Sequence, residues 1–316
     1  MIFNFVGRCY TPKCILIRLI TICLAIAASP GNTQQGPGFS LAGNIGLRDI
    51  DFKLSNFTPG PIVLRSPAGE LPSSLEIGQL DIELNDAIYT LGLGGSLFYE
   101  RLFVTGLFEI TPSNTTEVEV DSESAPELSE PRSSDLSRAD YTVTIGYEVW
   151  EGLSVFSGLK FTEFEIDARE NTTVILGSRD ISYEEQGMFL GVGYTWHVAQ
   201  RLSMSFSAAY AFLDIEMSDA GVSVDDIASN PITIGSFEFE SPGRGLSVGW
   251  QSIIPITEHW IFGSSIKYQR YTSSGQTTEL TAFTSSPGLT VDPFVVKDID
   301  TDHTDVVLNF GIQYVF

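Results

Sequence analysis

The sequence predicts an all-β fold, a transmembrane antiparallel up-and-down β-barrel of ten strands, with eight or twelve strands as alternatives. Three observations support this prediction. Apolar residues alternate with polar or small residues in ten segments, as strands between lipid and a wet lumen require. The connections between those segments alternate between short and long, as in bacterial barrels. No apolar run beyond the N-terminal leader approaches the ~20 residues of a membrane-spanning helix, so a membrane protein with this sequence must be a closed barrel.

The first five predicted strands are Phe39–Asp51, Ala87–Glu100, Arg101–Thr111, Ala139–Val149 and Leu153–Ile166. Each alternates large apolar residues with glycine, serine, threonine or charged residues. The period of two assigns Ile45, Leu91, Val104 and Val143 to lipid, and their neighbours Asn44, Gly92 and Thr144 to the lumen.

The remaining strands are predicted at Gln186–His197, Arg201–Leu213, Gly243–Pro255, Trp260–Tyr271 and the C-terminal segment that ends at Phe316. Leu190, Phe206 and Phe310 are assigned to lipid. The alternation is weakest in Gly243–Pro255, which still keeps Leu246, Val248 and Trp250 on one face. Three further segments could add strands or extend these strands above the membrane: Leu75–Leu84, Ile232–Phe239 and Leu289–Ile299.

The connections fall into two classes. The short ones are Glu100-Arg101, Trp150–Gly152, Val198–Gln200 and Ile256–His259, and the long ones are 53–86, 112–138, 167–182, 214–242 and 272–301. A secreted β-sandwich has no reason to separate turn lengths in this alternating way. We therefore expect short periplasmic turns and long extracellular loops, with both termini on the periplasmic side.

The N-terminal residues predict export. Three basic residues precede a short apolar run that ends in small residues, which is the pattern of a secretory signal peptide. We expect residues 1–28 to be a cleaved signal peptide, 29–38 a periplasmic N-terminal segment and 39–316 the barrel. All three cysteines lie in the leader, so a thiol site in the mature chain is excluded. Cleavage would change the formal net charge from −23 to −26.

The C-terminal strand carries a spacing of its own. Asn309, Gly311, Tyr314 and the terminal Phe316 follow the order polar, glycine, aromatic, aromatic. This spacing resembles the assembly signal that Gram-negative outer-membrane barrel proteins present to their barrel-assembly machinery. The resemblance implies localisation in the bacterial outer membrane, with outer-membrane lipid and lipopolysaccharide as the surroundings. It extends at the level of class to OmpA/Opa-like and small-porin barrels.

The predicted lumen face carries charges of both signs. They are Arg48, Arg101, Glu109, Glu148, Lys160, Glu185, Lys267 and Asp305. Small barrels fill with side chains, whereas wide aqueous channels belong to barrels of ~16 to 18 strands. Isolated charges would be costly there, so we expect opposite charges to pair and the lumen to be plugged or narrowly conducting.

Aromatic and acidic residues predict the two ends of the barrel. Tyr99, Trp150, Trp196 and Trp260 lie beside the short turns, where a periplasmic aromatic girdle is expected. The long connections hold most of the negative charge, which predicts a solvated acidic rim that could bind divalent cations weakly. The pattern of an EF-hand loop is absent from the sequence, so we assign no metal ligands and no cofactor. The acidic charge also disfavours nucleic-acid binding.

No arrangement of residues predicts catalysis. The ten-stranded omptin proteases resemble this layout in architecture, and their chemistry uses aspartate and histidine near the outer rim. Of the three histidines, only His303 is predicted at the outer end, beside Asp302 and Asp305. We therefore expect a structural or surface-interaction protein that acts through acidic extracellular loops. A small cation-preferring diffusion channel is the alternative, and a protease or lipid-modifying barrel enzyme is less favoured.

Overall fold

Ten long strands close into an antiparallel barrel in the computed structural model, and each strand pairs with its sequence neighbours. The predicted fold class and strand number are thus confirmed. The structure describes residues 38–57, 62–66, 69–75, 80–122, 132–169, 178–199, 201–220, 222–224, 232–234, 237–275, 279–280, 282–284, 290–291, 294–295 and 299–316. The expected signal peptide lies outside these residues.

The barrel strands are longer than the sequence predicts. They are β1 Gly38–Phe57, β2 Leu80–Tyr99, β3 Leu102–Ser122, β4 Arg132–Trp150, β5 Leu153–Arg169, β6 Ser178–Ala199, β7 Leu202–Ala220, β8 Phe237–Pro255, β9 Trp260–Gly275 and β10 Ile299–Val315. Every strand extends at the end away from the short turns. Much of what was predicted as long loop is therefore strand, because pairing continues above the apolar band.

Short strands occupy the connections at that end. They form three small sheets outside the barrel, from the segments Ile62–Ser66, Gly69–Leu75, Val222–Val224, Ile232–Ile234, Glu279–Leu280, Ala282–Thr284, Thr290–Val291 and Phe294–Val295. Of the three segments left open by the sequence, each contributes to a barrel strand, a small sheet or both, and none adds an eleventh barrel strand within the described residues.

The first and last strands close the barrel. β1 pairs with β10 from Ser40↔Val315 to Ser55↔Asp300 without a register shift. The backbone N–H of Phe316 adds a hydrogen bond to the carbonyl of Phe39 at 3.0 Å. Closure leaves no free sheet edge among these strands, which satisfies the backbone in a lipid environment.

A band of exposed apolar side chains surrounds the half of the barrel that carries the short turns. From β10 to the terminal residue it runs from Val306 to Phe316 at alternate positions, all exposed except the half-buried Tyr314. Ten residue steps of ~3.3 Å, tilted by about 40°, give a height of roughly 25 Å, the height of a membrane-spanning band. Within the described residues, no helix is long and apolar enough to cross a membrane.

The two faces of each strand exchange character above this band. In β1 the outward side chain changes from apolar at Leu47 to acidic at Asp49, and the inward one from Arg48 to Ile50. Phe52 and Leu54 continue the inward apolar series and are fully buried. Inside lipid the apolar face has to point outward, whereas in water it has to point inward. The alternation therefore continues unbroken along the strand, but the apolar face points to lipid in one half of the barrel and into the lumen in the other. The outer half of the lumen is thus filled by a hydrophobic core.

Candidate functional site in the barrel lumen

A buried group of charged residues lies where the two halves of the lumen meet. We call it the lumen ion cluster, and it consists of Arg48, Glu109, Arg138, Asp140, Lys160, Glu185, His303 and Asp305. Six strands contribute to it, and every member is less than 9 % exposed. Each ion buried without a partner would cost several kcal/mol, so the geometry of pairing decides whether the arrangement is tolerated.

Two arginines form the centre of the cluster. Arg48 lies 2.9 Å from Asp305, 2.9 Å from Asp140 and 3.3 Å from Glu109. Arg138 donates to Asp140 at 2.9 Å and to Asp305 at 2.8 Å. Because guanidinium groups present several donors in one plane, two of them can bind three carboxylates at once. This network joins β1, β3, β4 and β10 across the lumen.

Lys160 and His303 extend the cluster to the opposite wall. The Lys160 ammonium lies 2.5 Å from Glu185 and 3.7 Å from the centre of the Tyr271 ring. The Glu185 carboxylate also accepts from the Tyr183 hydroxyl at 3.1 Å and lies 2.6 Å from His303 Nδ1. The second ring nitrogen, Nε2, lies 2.9 Å from Asp305. His303 therefore connects the lysine and arginine halves of the network.

The hydrophobic core covers the cluster on the side away from the short turns. Phe52 packs against Phe164 and Tyr183 with ring centres 5.2 Å and 5.0 Å apart. His303 lies at their edge, 5.9 Å from Phe164, and has 0 % exposure. Phe239, Ile215 and the other core residues fill the remaining space. Between the described strands the lumen is thus closed by an ion layer and an apolar layer in series.

On the other side of the cluster the lumen widens into a cavity of about 520 Å³, which we call the chamber. Its lining includes Lys160 and Tyr271 at the cluster and Thr195 and Gln251 near the short turns. Thr195 and Gln251 are both exposed although their side chains share the lumen face. The described residues leave the chamber open at the short-turn end.

The residues predicted to form a lumen charge network separate into three groups. Arg48, Glu109, Lys160, Glu185 and Asp305 come together in the lumen ion cluster. Lys267 lines the chamber and forms no salt bridge with any described residue.

Arg101 and Glu148 lie away from the cluster, which corrects the prediction for these two residues. Arg101 is exposed in the turn between β2 and β3, because the strand ends before its side chain can enter the lumen. Glu148 accepts a hydrogen bond from the backbone N–H of Gly152 at 2.8 Å and so stabilises the next short turn.

Three members of the cluster were not predicted. Arg138 was assigned to the end of an acidic loop, Asp140 lay in the predicted strand Ala139–Val149 without a lumen role, and His303 was assigned to the outer rim. The missing signal was the period of two itself, because positions 138, 140 and 303 share the inward parity of Thr142 and Asp305. Continuing each strand beyond its apolar band would have found them.

The proposed assembly-signal residues contribute to packing at the barrel seam. Asn309 donates to Glu109 at 3.0 Å, and a side chain at Gly311 would contact the Gly43 carbonyl at 2.9 Å. The Tyr314 ring lies 4.9 Å from Trp260 and 4.8 Å from Phe316. The girdle residues Tyr99, Trp150 and Trp260 are exposed at the short-turn end. Trp196 packs there against Trp250 at 5.3 Å.

Some of the acidic residues expected to bind divalent cations, such as Glu123, Glu127 and Asp298, lie outside the described residues. Among the residues that are described, no group of three or more acidic, histidine or cysteine side chains is arranged to hold a metal ion. The divalent-cation expectation therefore remains a prediction.

Comparison with known proteins identifies the family. A family model described as MltA-interacting protein MipA matches residues 76–278, which is more than half of the chain. This chain belongs to the MipA family. Together with the fold, membership makes it an outer-membrane β-barrel protein. A comparison with curated proteins found no match.

Several solved structures align with this chain. The outer membrane protease OmpT from Escherichia coli aligns with 88 % of this chain and 97 % of its own at 13 % identity, with a TM-score of 0.57. The translocator domain of the autotransporter NalP from Neisseria meningitidis aligns at 7 % identity over 96 % and 95 %, with a TM-score of 0.38. OprG from Pseudomonas aeruginosa aligns at 10 % identity over 86 % and 95 %, with a TM-score of 0.35. At these identities the likeness to OmpT is one of fold alone.

Proposed function

We propose that this MipA-family protein has a structural and surface-interaction role in the outer membrane and does not serve as a diffusion channel. The observation that carries the proposal is the closure of the lumen by the lumen ion cluster and the hydrophobic core. A hydrated ion would have to separate Arg48 and Arg138 from their carboxylates and then enter a layer of buried aromatic and aliphatic side chains. Both steps carry large desolvation costs.

The same burial argues against catalysis. His303 beside Asp305 is the one pairing that suggested a barrel enzyme, and its ring has 0 % exposure beneath Phe52 and Phe164. A general base has to reach the proton that it abstracts from a substrate. We therefore propose that His303 stabilises the closed lumen and that the protein is not an enzyme.

The outer surface supports an interaction role. Four glutamates face outward above the apolar band at directly paired positions of neighbouring strands: Glu163↔Glu184, Glu184↔Glu216 and Glu216↔Glu240. Like charges placed directly opposite each other destabilise a sheet. A row of them is a cost to the isolated barrel that a cationic partner surface would remove. We call these four residues the outer acidic row.

The family description supplies a partner to test. It names MipA as an MltA-interacting protein, and we propose that this chain likewise binds an MltA homologue. Such binding needs no passage through the barrel, which is compatible with a closed lumen.

Two measurements on the refolded protein test the proposal. In a liposome-swelling assay with a small neutral sugar, we expect swelling at the rate of protein-free liposomes. In a binding assay with a purified MltA homologue, we expect saturable binding. The quadruple variant Glu163→Gln/Glu184→Gln/Glu216→Gln/Glu240→Gln reports on the outer surface. The comparison variant Glu151→Gln/Glu258→Gln removes two exposed carboxylates from the short turns.

Weaker binding by the quadruple variant alone would assign the contact to the outer acidic row. Weaker binding by the comparison variant alone would place the contact at the short-turn end and leave the interaction role intact. Rapid swelling by itself would contradict the closed lumen and favour the cation-preferring channel, and no saturable binding of the homologue would contradict the interaction role.

A further inference from the structure

The chamber has an aromatic wall built from three phenylalanines. The rings of Phe103, Phe156 and Phe189 lie over glycines of the adjacent strands, so that a Cβ at Gly146, Gly191 or Gly158 would meet a ring atom within 2.1–2.4 Å. Each ring therefore covers the backbone of the adjacent strand. All three rings are only partly buried. They form an apolar surface that faces a water-accessible space.

Hydroxyl groups complete the lining. Ser207, Ser247 and Ser265 lie on the strands that carry none of the three rings, and Thr105 and Ser154 lie next to the rings. A cavity of about 520 Å³ with aromatic surface and a few polar groups has the size and character of a small-molecule site. This lining favours a ligand that has an apolar part and a polar part.

The charge at the deep end of the chamber determines which polar group the ligand should carry. Glu109 and Asp140, the carboxylates that interact electrostatically with Lys267, are already bound by Arg48 at 3.3 Å and 2.9 Å. The other carboxylates of the lumen ion cluster are likewise bound by Arg48, Arg138 or Lys160. Lys267 thus presents to the chamber an ammonium group that forms no salt bridge with the described residues. Such a group attracts one negative charge.

We propose that the chamber binds a small organic carboxylate that carries an apolar ring or chain. Its carboxylate pairs with Lys267, and its apolar part lies against Phe103, Phe156 and Phe189. The ligand enters from the short-turn side, because the other end is closed. A singly charged group fits better than a doubly charged phosphate, since the neighbouring Lys160 is already paired with Glu185. This site is additional to the proposed interaction role and independent of it.

A titration with 4-fluorobenzoate tests the proposal. The full barrel is placed in lipid nanodiscs, and binding is followed by ¹⁹F NMR, with empty nanodiscs as the background. We expect saturable binding of 4-fluorobenzoate and roughly tenfold weaker binding of the neutral 4-fluorobenzamide. Doubly charged 4-fluorophenyl phosphate should also bind more weakly.

Variants assign the site. Lys267→Met should weaken 4-fluorobenzoate binding roughly tenfold, whereas Lys267→Arg should retain it. Lys53→Met is the matched control, because it removes an exposed lysine remote from the chamber, and it should bind like wild type. Ser207→Trp fills the chamber without changing its charge and should abolish binding of both benzoate and benzamide.

Folding of each variant is checked by its heat-modifiable mobility on gels. Equal affinity of the wild-type protein for the carboxylate and the amide would overturn the proposal, and so would no saturable binding. Unchanged binding by a folded Ser207→Trp variant would place the ligand outside the chamber and would also overturn it. If Lys267→Met does not fold, two results still test the proposal: the comparison of benzoate with benzamide binding to the wild-type protein, and the loss of binding in Ser207→Trp.

Discussion

Replacing Lys160 with methionine removes one charge from the lumen ion cluster and keeps most of the side-chain volume. It breaks the 2.5 Å pair with Glu185 and the contact over the Tyr271 ring. Breaking a buried pair by removing one partner typically costs ~3–5 kcal/mol. Glu185 retains Tyr183 and His303 as neighbours at 3.1 Å and 2.6 Å, so we expect the lower end, about 3 kcal/mol.

The double variant Lys160→Met/Glu185→Gln distinguishes two contributions to the loss of stability. One is the lost interaction between Lys160 and Glu185, and the other is the cost of leaving the Glu185 carboxylate buried without Lys160. Glutamine is neutral and can still accept from Tyr183, so the double variant should be less destabilised than Lys160→Met by about 1–2 kcal/mol. Lys53→Met is a matched control, because its pair with Glu83 has both side chains more than 40 % exposed. That exposure screens the charges, and the control should lose at most about 1 kcal/mol.

Equilibrium unfolding in urea measures these differences on protein refolded into lipid vesicles. The four tryptophans lie at positions 150, 196, 250 and 260, and their fluorescence reports loss of the membrane-inserted barrel. A Lys160→Met variant as stable as the Lys53→Met control would refute the buried network. A double variant that is less stable than the single one would refute the reasoning about the unpaired carboxylate.

Other predictions concern the seam, the register and close packing. Removing Phe316 should impair assembly, because this residue extends the closing strand pair, and normal heat-modifiable mobility with normal outer-membrane levels would contradict it. Leu91→Arg places a charge on the lipid-facing surface and should cost roughly 2–4 kcal/mol. Thr144→Arg enters the open chamber and should cost less, so equal costs in urea unfolding would contradict the register. Gly92→Ala should destabilise the barrel, because its Cβ would lie 1.9 Å from the side-chain oxygen of Asn44; unchanged unfolding would show that Asn44 can move away.

Alternation and turn spacing were sufficient to predict the barrel and its strand number. The half inside lipid gives the stronger sequence signal for strands. There, lipid-facing residues such as Ile45, Leu91 and Phe310 alternate with small polar residues that face the lumen. The outer half was read as loop, since Ile50, Phe52 and Leu54 are apolar on what had been the polar face. The alternation with a period of two is unchanged there, but the apolar side chains now point into the lumen and the polar ones point outward.

The charge network was partly predictable for the same reason. Arg48, Lys160 and Glu185 could be assigned to the lumen, because they alternate with lipid-facing residues on the part of each strand where the apolar face points outward. Which carboxylate pairs with which cation depends on the strand register and the barrel diameter, and neither follows from single-strand patterns. The placement of the Phe103 ring over Gly146 likewise depends on the register between neighbouring strands.

The most direct test of the closed lumen is the single-channel conductance of the wild-type protein in a planar lipid bilayer, with a porin of known conductance as the positive control. The lumen ion cluster and the hydrophobic core predict a current at the baseline of the bare bilayer over a sustained recording. Discrete, long-lived conductance steps from the unmodified protein would contradict the closed barrel.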